Sequence, residues 1–86
     1  MSQFIALDML PSGLTANELQ TLLSFFPGVI GVEVLTDRQG RSLGSAVVEA
    51  GTGAYRDVII EALDGLEVLG RSLRASRLEV PEMAFA

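Results

Sequence analysis

Midway along the chain, Leu43-Gly44-Ser45-Ala46-Val47-Val48-Glu49-Ala50 reads as a strand, and its position marks it as a central one. Val47 and Val48 favour extended backbone, and the segment lies between a polar turn and the loop Gly51-Thr52-Gly53. What surrounds it must therefore pair with it or pack on it. At 86 residues the chain has room for one core, and 49% hydrophobic against 20% charged residues is globular composition.

The flanking segments supply the partners. Phe4 to Leu10 is apolar apart from Asp8 and ends at Pro11-Ser12-Gly13, which is turn chemistry. Thr15-Ala16-Asn17-Glu18 fits a capping box, in which threonine caps a helix and the glutamate three residues on reaches back. Leu19, Leu22, Leu23 and Phe26 follow at helical spacing, and Pro27-Gly28 stops the helix. Phe25 falls off that stripe and is expected half exposed. Ile30 to Leu35 alternates as a strand with Ile30, Val32 and Val34 inward. Thr36 to Ser42 is a hairpin loop joining it to the opening stretch. Thr52 then caps a second helix marked by Arg56, Ile59, Ile60 and Leu63 and ended at Asp64-Gly65. Leu66 to Ser72 reads as a turn region, and Leu73 to Val80 as a last strand closed by Pro81. The expected domain is 1–80, with 81–86 a short tail carrying Phe85.

The order is β-α-β-β-α-β, which implies an α+β ferredoxin-like sandwich: a four-stranded antiparallel sheet with both helices on one face. The other face is open.

Composition narrows the chemistry. Without cysteine or histidine there are no disulfides, no thiolate or imidazole zinc sites and no Ser-His or Cys-His machinery. Asp57, Glu61 and Asp64 read as a solvated helix face rather than a metal site, and the lone Gly51-x-Gly53 as a capping loop rather than a phosphate cradle. A non-enzymatic binding module without cofactor or small-molecule substrate is expected; an enzyme of ferredoxin-like topology would need a catalytic constellation that the chain does not display. The net charge is −5 and all six basic residues are arginines, so no global basic footprint for nucleic acid exists. No segment approaches the ~18 apolar residues of a membrane span. No membrane association and an intracellular, cytoplasmic location are expected, in keeping with absent cysteines.

These landmarks resemble the RNA recognition motif family along Phe4 to Val80. Met9-Leu10-Pro11 looks like the Asn-Leu-Pro ending the family's first strand, with methionine in place of asparagine. Thr36-Asp37-Arg38 with Gly40-Arg41-Ser42 looks like its second hairpin. Ile60-Glu61-Ala62-Leu63-Asp64-Gly65 is similar to its Ala-Leu-Asn-Gly helix ending, and Gly70-Arg71-Ser72-Leu73 to the Gly-Arg-x-Leu that opens its last strand. The resemblance implies single-stranded RNA binding, with bases stacked on aromatics of an octamer and a hexamer. Here the octamer is Leu43 to Ala50 and the hexamer Ile5 to Leu10. Leu43 occupies the octamer's basic position, and Ser45, Val47 and Ala6 occupy the ring positions. Stacking is worth about 1–3 kcal/mol per base, so its loss removes most of the usual affinity.

Period-two alternation puts Phe4, Ala6, Asp8, Gly31, Glu33, Leu35, Leu43, Ser45, Val47, Glu49, Arg74, Ser76 and Leu78 on the open face. Three acids there oppose one arginine. The leading expectation is a degenerate family member that binds a protein partner, or itself as a homodimer, through Phe4, Ala6, Leu35, Leu43, Ser45, Val47 and Leu78. The tail's Phe85 is a third candidate cover. The alternative is weak single-stranded RNA binding through Arg38 and Arg41 of the hairpin and Arg74 and Arg77 of the last strand.

Overall fold

The computed structural model describes residues 3–11 and 13–78. The elements run β1 (Gln3–Asp8), α1 (Ala16–Leu23), β2 (Val29–Thr36), β3 (Ser42–Ala50), α2 (Gly53–Leu63), β4 (Glu67–Val68), β5 (Arg71–Ser72) and β6 (Arg74–Leu78). Four of the strands form an antiparallel sheet in the order β2-β3-β1-β6, so β3 and β1 are central. This is the α+β ferredoxin-like sandwich that the element order predicts. The stretch expected to be a plain turn before the last strand instead holds a miniature hairpin, β4 against β5, with Glu67 opposite Ser72. The boundary between domain and tail at 80/81, the end of the last strand beyond Leu78, and Phe85 lie outside the described residues.

Local chemistry sets the helix starts. Thr15 accepts from the Glu18 backbone N–H at 3.2 Å, and Glu18 Oε1 accepts from the Thr15 backbone N–H at 3.2 Å. Thr52 accepts from the Tyr55 backbone N–H at 3.1 Å to open α2. Such caps satisfy donors that the first helical turn leaves unpaired.

The core is the layer between sheet and helices. Ile5 and Leu7 of β1 and Ala46, Val48 and Ala50 of β3 are buried with Leu19 and Leu23 of α1 and Ile59 and Leu63 of α2. The alternation of β3 is thus as expected on its inner side. Tyr55 lies over Gly28 so closely that a β-carbon there would fall 2.3 Å from the ring, and Gly28 also has φ +85°. Only glycine fits both conditions.

One inward assignment is wrong. Ile30 is 61% exposed. Val29 pairs with Ala50 and Gly31 with Glu49, so one extra residue of β2 is squeezed out as a bulge, and Val29 takes the inward place. A second irregularity lies at the hairpin. The pairs Val34–Ala46 and Thr36–Ser42 leave two extra residues on β3, around Gly44 at φ +86°. The Gly44 carbonyl accepts from the Leu10 N–H at 3.0 Å, which ties the end of β1 to that bulge.

Candidate nucleic-acid interface

Strand register arranges the open face in cross-strand rows. Gly31, Glu49, Phe4 and Leu78 form one row, and Glu33, Val47, Ala6 and Ser76 the next. In the row nearest the β2–β3 hairpin, Asp8 stands between Ser45 and Arg74: it is paired with Arg74 on β6, and the Ser45 hydroxyl donates to Asp8 Oδ1 at 2.7 Å. The face is therefore polarised. Glu33 and Glu49 lie away from the hairpin, flanking a shallow groove of about 230 Å³ lined by Phe4, Gly31, Val32, Glu33, Val47 and Glu49. Arg74 lies at the hairpin end.

The residues at the ring positions come together as the resemblance implies. Ala6 and Val47 are cross-strand neighbours, and Ser45 adjoins Asp8. None is aromatic. Phe4 stands on the same face, but one row removed from Ala6 and Val47, beside Leu78. Leu43 is 63% exposed before the Gly44 bulge, and Leu35 is exposed opposite that bulge. The apolar members thus divide into two groups. Phe4, Ala6, Val47 and Leu78 are contiguous, while Ser45 and Asp8 stand between them and the Leu35/Leu43 end.

The arginines divide too. Arg77 pairs in register with buried Ile5, and its guanidinium lies 3.1 Å from the Asp57 carboxylate of α2. It belongs to the helical side, so the expected set of Arg74 with Arg77 is not a set: residues three apart on a strand point to opposite faces. Arg56 also holds Asp57, at 3.0 Å. The hydrogen bond from Arg56, together with the charges of Arg56 and Arg77, keeps the Asp57 carboxyl below its ordinary value.

In the hairpin, Asp37 organises the loop. Its Oδ1 accepts from the backbone N–H groups of Gln39 at 2.8 Å and Arg41 at 3.0 Å, and its Oδ2 lies 3.3 Å from Arg41 Nε. The Arg41 backbone bond is the main cause of a lowered Asp37 pKa. Arg41 also donates to the Gln39 side chain. Arg38, Arg71 and Arg74 have no carboxylate within ion-pair distance among the described residues. Arg71, which the sequence places in the Gly-Arg opening of the last strand, is not among the expected RNA contacts; the available signal is its position in that turn, three residues before Arg74.

Among the described residues no group of three His, Cys, Asp or Glu side chains could hold a metal, and no helix is long and apolar enough to cross a membrane.

Comparison with known proteins agrees with this geometry. The family profile described as RNA recognition motif matches residues 5–74. "Putative RNA-binding protein RbpE" of Nostoc sp. strain PCC 7120 is 38% identical over 64 residues, which cover 73% of this chain and 65% of that protein. The chain thus spans just under two thirds of that relative's length. The crystal structure of RNA Binding Protein PG1 superposes with a TM-score of 0.80 at 33% identity, covering 93% of this chain and 99% of the other. The RNA15 RRM gives a TM-score of 0.80 at 26% identity, with 87% of each chain covered. By profile, relatives and fold together, this chain belongs to the RNA recognition motif family.

Proposed function

We propose that this domain binds single-stranded RNA at the hairpin end of its open sheet, by contact rather than catalysis. The names of the Nostoc relative and of PG1 support the substrate class. The observation that carries the reading is the state of the arginines. Arg38, Arg71 and Arg74 keep guanidinium groups that no described carboxylate engages, and the β2–β3 hairpin and the start of β6 bring Arg38 and Arg74 to one end of the sheet. Arg41 joins them at little cost, because an exposed ion pair such as Arg41–Asp37 is weak and exchanges readily for a phosphate. Glu49 in the far row and Glu33 in the middle row repel phosphate there, which directs the strand toward the hairpin. Affinity then comes from a few phosphate contacts instead of ring stacking, and is modest and strongly salt-dependent.

Equilibrium titration of labelled single-stranded RNA pools at low salt tests this. Binding that weakens with salt and with Arg38→Ala or Arg74→Ala supports it. Binding that is absent, or indifferent to salt and to both substitutions, overturns it.

A second reading, protein binding or self-association through the sheet, is favoured by the apolar group of Phe4, Ala6, Val47 and Leu78. Glu33, Glu49 and Asp8 border that small patch with like charges, which two copies would bring together, so we rank it below RNA binding. Sedimentation across a concentration series separates the two: a monomer unaffected by Val47→Asp removes the dimer.

A further inference from the structure

We propose that Asp8, fixed by Ser45 and set beside Arg74, selects guanine in the bound strand; this rests on the RNA-binding reading above and adds a base preference to it. A carboxylate in the middle of a surface that meets a polyanion is unfavourable unless something on the ligand donates to it. Phosphate oxygens and the ribose ring oxygen cannot donate; the 2′-hydroxyl and base N–H groups can, and of these only the base groups distinguish one nucleotide from another. Asp8 has the capacity to receive them. Ser45 uses one acceptor position on Oδ1, and among the described residues no other side-chain hydrogen bond reaches this carboxylate. A carboxylate offers about four such positions. The Ser45 bond also restrains the Asp8 rotamer, which readies the group for a ligand.

Among the described residues, Ala6 and Val47 occupy positions where the family resemblance implies rings, and they place no aromatic beside the end of β1. A base that approaches the sheet there can present its Watson–Crick edge, which is free in a single strand.

The donor pattern decides which base. Guanine carries two adjacent donors, N1–H and the 2-amino group, followed by the O6 acceptor. A carboxylate accepts from both donors at once. Arg74 stands directly across from Asp8, with a guanidinium that no described carboxylate engages; one N–H of its fork donates to O6 while the others remain for a phosphate. Adenine and cytosine place an acceptor next to their single amino donor, and uracil flanks its one N–H with two acceptors. Each of these turns lone pairs toward the Asp8 carboxylate.

The test uses the full chain and four labelled oligonucleotides of about eight nucleotides, a length within reach of one small domain: oligouridine, and the same strand with two central guanines, inosines or adenines. Guanine is expected to tighten binding about tenfold or more over uridine. Inosine, which keeps N1–H and O6 but lacks the 2-amino group, is expected to fall between. Asp8→Asn keeps an oxygen for Ser45 but turns an amide donor toward N1–H, so it is expected to bring the guanine and uridine strands to equal affinity, with both tightened by the loss of the negative charge. Equal affinity of the unmodified chain for the guanine and uridine strands, or a guanine preference that survives Asp8→Asn, overturns this inference and leaves RNA binding standing. Failure of all four strands to show salt-sensitive binding overturns both. Should the Asp8→Asn protein fail a thermal-melt check of folding, the inosine comparison on the unmodified chain decides alone.

Discussion

The Ser45 hydroxyl and the Asp8 carboxylate meet at 2.7 Å across 37 positions of sequence, joining the two central strands on the face that carries no helices. The family resemblance implies rings in that neighbourhood. Here it holds a short polar pair, which offers a hydrogen-bonding and charged surface in place of a stacking one.

Removing single guanidinium groups should weaken RNA binding in proportion to phosphate contacts. Arg38→Ala and Arg74→Ala should each lower the slope of log affinity against log salt by about 1. Arg77→Ala, which breaks a contact to Asp57 on the helical side, should leave the slope unchanged. Anisotropy titrations at three or more salt concentrations measure this.

Restoring the missing rings should strengthen binding. Ala6→Tyr and Val47→Phe place aromatics at adjacent positions of β1 and β3, on the open side and away from the core. Each should add about 1–3 kcal/mol to the affinity for a single strand, the worth of one stacked base. No gain with either variant, in a protein that still melts cooperatively, would show that bases do not lie on this part of the sheet.

Gly28→Ala should destabilise the fold by more than about 1 kcal/mol. The new methyl would collide with the Tyr55 ring, and the backbone would remain at φ +85°. Tyr55→Ala combined with Gly28→Ala relieves the collision but not the backbone strain, so the double variant should regain only part of the loss over Tyr55→Ala alone. Urea melts distinguish the two contributions.

Thr15→Ala should cost about 1 kcal/mol, because the first turn of α1 loses the acceptor for the Glu18 N–H and the box with the Glu18 side chain collapses. Leu23→Ala, in a fully buried position, should cost more, about 2–5 kcal/mol. Chemical denaturation should rank the two in that order.

Acid should loosen the hairpin. The Asp37 carboxyl titrates below its ordinary value of 3.8 because its charged form accepts backbone hydrogen bonds from Arg41 and Gln39. A carboxyl whose folded pKa is depressed contributes stability above its unfolded pKa and loses that contribution as pH falls through the folded one. The loss should therefore begin below about pH 4 and be complete once Asp37 is protonated. Asp37→Asn should flatten the acid limb of a stability–pH curve recorded by thermal melts; an unchanged limb would count against this role.

What the sequence reveals divides by range. The capping box of Thr15 and Glu18 lies within four residues, so the chain spells it out, and the inner side of β3 follows from simple alternation of Ala46, Val48 and Ala50. Alternation also contains the separation of Arg74 from Arg77, since an odd spacing on a strand changes face. Ile30 was illegible for a different reason: a bulge is settled by how two strands register against each other, and nothing in Val29-Ile30-Gly31 alone says which residue will be squeezed out. The Asp8–Ser45 bond is of the same kind. Asp8 could be assigned to the open face, but its partner depended on the pairing of β1 with β3. The hairpin of β4 and β5 has only two residues per strand, too few for periodicity to show.

The misplaced isoleucine has a consequence for how copies of this molecule behave when crowded. β2 is an outer strand of the sheet, and an outer strand offers unpaired backbone groups on which another chain can polymerise. The extra residue at Ile30 breaks the even spacing of those groups and bends the strand, so an incoming segment cannot add in regular register along its length. One residue that looks out of place thus makes the outer edge of β2 a poor template for an incoming strand.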